Sequence, residues 1–159
     1  MKTSTNLLAG LVLSTLAAGA HADSYDGHIA FHNDVAYHSI TITTPGSSLL
    51  LWTDSYINGA NFDPIVNVWY KNARIGQNDD NPGIDPANQT RYDSGIRFGN
   101  LAVGTYVFTV SAYGNFSAGA NIGNGFAYDN QAPIPLDNWC QPASHCDMAK
   151  HFSLHWKVN

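Results

Sequence analysis

The residues with the most definite chemistry are aspartates, because all twelve acidic side chains are Asp and none is Glu. Asp34 opens an expected strand, Asp54 closes the next run, Asp63 precedes Pro64 at a strand start, Asp79, Asp80 and Asp93 flank one long loop, and Asn33 stands beside the first of them. Asp and Asn carry an oxygen on a short arm, bond readily to nearby backbone, and serve as ligands for hard cations. Calcium takes six to eight such oxygens, so these seven residues are the candidate calcium ligands. The same residue types form turns in any β protein, and Asn78-Asp79-Asp80-Asn81-Pro82-Gly83 also reads as a turn. The run lacks the spacing and terminal Glu of a helical calcium hand.

Other constellations carry less. No His-Glu-x-x-His occurs, and the pairs His28/His32 and His151/His155 lie in expected strands. Fourth neighbours there share a face but sit about 13 Å apart. Surface histidines are therefore expected. No Gly-x-Ser-x-Gly is present, and nothing in the sequence positions a Ser-His-Asp set. A glycosidase without Glu would need two Asp, such as Asp54 and Asp63, and a hydrolase is the least supported class. Aromatic residues are plentiful, with four Trp and eight Tyr. Trp156 is expected in the core by its alternation. Trp139, following Pro133 and Pro135 and preceding a cysteine, is expected to be exposed, and with Tyr56 it is a candidate contact for a polymer.

Cys140 and Cys146 are the only cysteines. An even count on the exported side of a membrane predicts a disulfide closing the loop Gln141 to His145. Half a zinc site with His145 and His151 is the weaker alternative. Export itself is predicted by Lys2, by the apolar run Leu7 to Ala20 and by the small-x-small site Ala20-His21-Ala22. That run is shorter than the roughly 20 residues needed to span a bilayer. Residues 1–22 are thus expected to be a cleaved signal, leaving residues 23–159 as one soluble domain in the periplasm or outside the cell. Without Lys2, six basic residues face twelve acidic ones. A surface with that balance disfavours nucleic acid and anionic membranes as partners.

Positioning the aspartates falls to β-strands. Apolar alternation of period two recurs over Val35 to Thr43, Ile65 to Tyr70, Thr105 to Tyr113 and His151 to Val158, and Leu49 to Trp52 is continuously apolar. Gly, Pro, Asn and Asp separate these runs. About eight strands are expected, arranged as an all-β, antiparallel sandwich of jelly-roll type. Starts and ends of antiparallel neighbours meet at one rim, which is how the aspartates would be gathered. Two loops exceed hairpin length, Asp79 to Arg91 and Gly114 to Lys150.

The ordered series Asn33-Asp34-Val35, Trp52-Thr53-Asp54-Ser55-Tyr56, Phe62-Asp63-Pro64-Ile65, Gln77-Asn78-Asp79-Asp80-Asn81, Tyr92-Asp93-Ser94 and Leu101-Ala102-Val103-Gly104-Thr105-Tyr106 resembles the pre-peptidase C-terminal type of domain. The likeness runs from about Phe31 to Phe126 and is greatest to short secreted bacterial relatives. It implies a jelly-roll sandwich that larger relatives append to secreted proteases to bind matrix polymers, sometimes with calcium. No protease is attached here. The expected function is a secreted, non-catalytic, calcium-supported module that binds an extracellular polymer, either carbohydrate or matrix protein. The alternative is a structural subunit of an extracellular or cell-surface assembly, formed with other surface proteins or by self-association.

Overall fold

A computed structural model describes residues 22–141 and 146–159. The expected export signal, apart from Ala22, and the segment 142–145 lie outside the described residues. Eight strands form, β1 (Asp23–His28), β2 (Val35–Ile42), β3 (Ser47–Thr53), β4 (Pro64–Tyr70), β5 (Ala73–Asn78), β6 (Gly95–Leu101), β7 (Gly104–Ala112) and β8 (His151–Val158). They build two four-stranded antiparallel sheets, in the orders β1-β8-β3-β6 and β2-β7-β4-β5. Three single-turn 3₁₀ segments are the only helical elements among the described residues.

The topology follows one rule. Strands pair as β1 with β8, β2 with β7, β3 with β6 and β4 with β5. The chain is thus one long hairpin, rolled so that successive rungs fall in alternate sheets. That is the expected eight-stranded jelly roll. The hairpin tip is Lys71-Asn72, where both residues have positive φ, 49° and 68°. Two left-handed residues in a two-residue loop make a turn whose twist matches the flanking strands.

Alternation decides what goes inside. In β8, Phe152, Leu154 and Trp156 are buried while His151, Ser153, His155 and Lys157 are half-exposed. Leu49 and Leu51 of β3, Val68 of β4, and Tyr106 and Phe108 of β7 meet them to fill the space between the sheets. The outer face of β7 is also covered, so Thr109 and Ser111 are buried despite facing away from the core. The Trp69 indole donates to Thr109 Oγ1 at 3.1 Å, and Trp69 meets Phe126 of the long 113–150 connection edge-to-face.

Cys140 and Cys146 are joined, so no thiolate remains for the zinc alternative. A disulfide of this kind belongs to an oxidising compartment outside the cytoplasm. Among the described residues, no helix is long and apolar enough to cross a membrane.

Candidate metal centre

Three of the predicted aspartates converge. Asp63 immediately precedes β4, and Asp79 and Asp80 immediately follow β5. The β4–β5 register sets Val66 opposite Asn78, so the start of one strand and the end of the other share a rim. One carboxylate oxygen from each of Asp63, Asp79 and Asp80 lies within 4.8 Å of the others. Asp63 is only 5% exposed, Asp79 is half-buried and Asp80 opens to solvent. The cluster therefore has a buried floor and an open side.

The floor is electrostatically incomplete. Asp63 Oδ1 and Asp79 Oδ1 are shut off from solvent, and no hydrogen-bond donor reaches either. Burial, and then the charges of Asp79, Asp80 and Asp93, push the Asp63 carboxyl up to about 8. Asp79 is raised to about 6 by burial and by Asp80. Burial also raises Asp80, against the opposing pull of Arg91. An anionic oxygen without a donor costs several kcal/mol in a protein interior unless a proton or a cation meets it. The donor set consists of hard oxygens, with neither sulfur nor imidazole, and suits calcium better than zinc. The residues present fit that ion.

The loop that carries Asp79 and Asp80 is held by residues that sequence reasoning passed over. Gln89 is buried, and its Oε1 accepts from the backbone N–H of Ile84 and Asp85 while its Nε2 donates to the carbonyls of Asn81 and Ser94. Ser94 Oγ sits 2.7–2.9 Å from the carbonyls of Pro64, Asn78 and Asp79, and with one hydrogen it can donate to one of them at a time. These contacts tie the start of β4, the end of β5 and the start of β6 together. Only the abundance of Asn, Gln and Ser between Asn78 and Gly95 hinted at such a network.

The other residues predicted as ligands stand apart from this cluster. Asp93 is fully buried, and its Oδ1 accepts from Thr53 Oγ1 and the Tyr56 N–H, while Oδ2 accepts from the N–H and hydroxyl of Thr90. With four donors on two oxygens it anchors the loop. Asp34 lies at the same rim as Asp63, but β7 separates β2 from β4. Its Oδ2 closes a turn by accepting from the N–H groups of Ala30 and Phe31. Asn33 Nδ2 donates to the Gln131 carbonyl, while its Oδ1 is buried and meets no donor.

Asp54 belongs to a different constellation, on the outer face of the other sheet. His155 Nε2 lies 3.0 Å from Asp54 Oδ2 and 3.2 Å from Ser153 Oγ, and Ser153 Oγ donates to Asp26 Oδ1 at 2.7 Å. The structure thus brings a Ser, a His and an Asp together. In a nucleophilic relay the serine and the aspartate occupy opposite ring nitrogens. Here both occupy Nε2, so no proton path runs from Ser153 through the ring to Asp54. The pair Asp54 and Asp63 considered for glycosidic chemistry is likewise split between this face and the acidic cluster.

The aromatic expectations are corrected. Trp139 is buried, with His32 and Tyr128 against its ring, because the long connection folds back over the end of the sandwich. Tyr56 is buried edge-to-face against Tyr92. Neither ring offers a platform to a polymer. His32 is not a surface residue either. It is 1% exposed, with Nδ1 accepting from the Ile134 N–H and Nε2 bonded to Gln131 Oε1. Searches for likeness found no family model and no curated protein that matches this chain.

Proposed function

We propose that this protein is an exported, non-catalytic jelly-roll module in which Asp63, Asp79 and Asp80 hold one calcium ion. The loops fixed by that ion bind an extracellular polymer. The observation that carries the reading is the pair of buried oxygens, Asp63 Oδ1 and Asp79 Oδ1, that meet no donor. A divalent cation would neutralise both, draw Asp80 in from the solvent side, and lock the β5–β6 loop onto the start of β4. Extracellular calcium modules commonly work at dissociation constants of about 0.1 to 1 mM, where ambient calcium keeps them loaded. Trp139 and Tyr56 are buried, so the loops 79–94 and 113–138 are left to make the polymer contact.

The test is co-sedimentation of the purified chain with insoluble polysaccharides and with fibrillar matrix protein, in millimolar calcium and in chelator. Binding that requires calcium and fails in an Asp79→Asn variant supports the reading. Equal sedimentation with and without calcium would remove the ion from the binding function.

A further inference from the structure

A jelly roll leaves four edge strands, and three of them here carry devices that discourage pairing with another chain. β1 presents Asp23 and Asp26 and contains Gly27. β5 contains Arg74 and Gly76, carries the extra residue Ile75 of a bulge opposite Val68/Trp69, and is capped by the bridge from Ala73 to Asn121. β6 contains Arg97 and Gly99, and the register of its ladder shifts between Ser47 and Leu49. Charge, bulges and covering loops are the usual protections of sheet edges.

β2 has none of them. Its sequence, Val-Ala-Tyr-His-Ser-Ile-Thr-Ile, contains no Asp, Lys, Arg, Gly or Pro, and it pairs with β7 over eight residues without a register shift. Among the described residues, no backbone hydrogen bond outside the β2–β7 ladder involves residues 35–43. A groove of about 440 Å³ runs beside it, lined by the consecutive residues His38 to Thr44 and, from the other sheet, by Asp23 and Trp156. Consecutive residues point alternately up and down, so such a wall is formed by the backbone edge and not by one face. The edge is therefore open. Tyr37, Ser39 and Thr41 are exposed along it, and Tyr37 at 54% is the most exposed aromatic ring among the described residues.

We infer that β2 is a self-association edge, on which a second copy of this chain adds its own β2 antiparallel across a two-fold axis. A two-fold contact places the same patch on both partners, and an extended strand is its own complement in antiparallel pairing. The mature chain has a net charge near −6 with histidines neutral, so copies repel one another over most of their surface. β2 contributes nothing to that repulsion. In a register centred on Ser39, residues 36–42 of the two copies pair over about 20 Å, and the two Asp34 residues lie beyond opposite ends of that ladder. Tyr37 then faces Thr41 across the pair, an aromatic against a β-branched residue, which favours cross-strand packing. A charged peptide from another protein finds no counter-charge on this strand. The contact is a single ladder and so belongs with small, concentration-dependent interfaces.

The experiment is sedimentation velocity on the chain from Asp23 to Asn159, over a concentration series in chelator, which separates it from any failure of the calcium reading. The wild-type protein should pass from one chain to two as concentration rises. Ser39→Lys sets two like charges opposite each other and should remain monomeric over the same range, as should Ser39→Asp. Both changes fall on an exposed position, and unchanged melting temperatures verify folding. Mixing the two variants should restore the dimer. A wild-type chain that stays monomeric throughout overturns the inference. So does a Ser39→Lys variant that dimerises as wild type does, or a mixture that fails to recover.

Discussion

Asp63 and Gln141 clasp each other across the rim of the sandwich. The Asp63 N–H donates to Gln141 Oε1 at 3.3 Å, and Gln141 Nε2 donates back to Asp63 Oδ2 at 3.4 Å. Gln141 follows Cys140 directly, so the disulfide loop holds the group that steadies the most buried carboxylate of the acidic cluster. Removing that donor disfavours the ionised carboxylate and leaves a buried N–H without an acceptor. Gln141→Ala should therefore weaken calcium binding by about 2- to 10-fold, corresponding to one or two modest hydrogen bonds. Reducing the disulfide should act in the same direction, loosening the C-terminal loop more than the sheets. Calorimetric titration of the variant and of the reduced protein checks both, and unchanged affinity would uncouple the loop from the site.

The pH dependence of the cation-free protein should have an unusual sign. Asp63 and Asp79 have folded-state pKa values of about 8 and about 6, both raised above the ordinary carboxylate range near 4. The folded state then holds more protons than the unfolded state between those limits, so stability falls as pH rises. In chelator the melting temperature should decline from about pH 4 to about pH 8 through these two groups. Millimolar calcium, by replacing the protons, should flatten the decline. Thermal melts at half-unit pH steps, with and without calcium, measure this. A chelated protein whose stability rises over that window would contradict the carboxylate assignment.

Sequence and structure agree where a local pattern was sufficient. The alternation of Phe152, Leu154 and Trp156 announced β8, and the placement of Asp63 before one strand and Asp79 after the next announced a shared rim. β1 was only partly legible: the strand expected around His28 and His32 instead runs Asp23–His28 and leaves His32 in a turn, because Asp-Ser-Tyr-Asp-Gly-His has no apolar alternation and becomes a strand by zipping onto β8. Asp93 had the same credentials as Asp79, but the donors from Thr53, Tyr56 and Thr90 that exhaust its oxygens come from distant or folded-back chain. Trp139 was misread for a related reason. A loop residue's exposure depends on where the loop lies, and this one lies across the end of the core.

His155 should report its contact with Asp54. Its pKa is raised, mainly by the hydrogen bond to Asp54, with burial opposing. A histidine raised in the folded state adds stability that is complete below its unfolded value of about 6.5 and is lost as pH climbs through the folded value. Asp54→Asn should lower the His155 titration midpoint in an NMR titration and cost about 1 kcal/mol at pH 6, with less effect at pH 8. Calcium binding should be unaffected, since Asp54 stands outside the metal cluster. An unmoved midpoint would show that the Asp54 contact does not govern this histidine.

A calcium ion on Asp63, Asp79 and Asp80 should register in isothermal titration of calcium into the chelator-treated chain at pH 7. One ion should bind per chain with release of protons, because carboxyls held at about 8 and about 6 must give up what they carry. At ten times the dissociation constant the bound ion should add about 1.4 kcal/mol, raising the melting temperature by several degrees. Asp63→Asn should abolish the binding heat and the calcium-dependent increment, while making the cation-free protein no less stable, since at pH 7 a carboxyl held at about 8 is already mostly neutral and the amide replaces it in the same shape. Absence of binding heat, together with identical melting curves in chelator and in millimolar calcium, would reduce the cluster to a set of protonated turn residues and contradict the account.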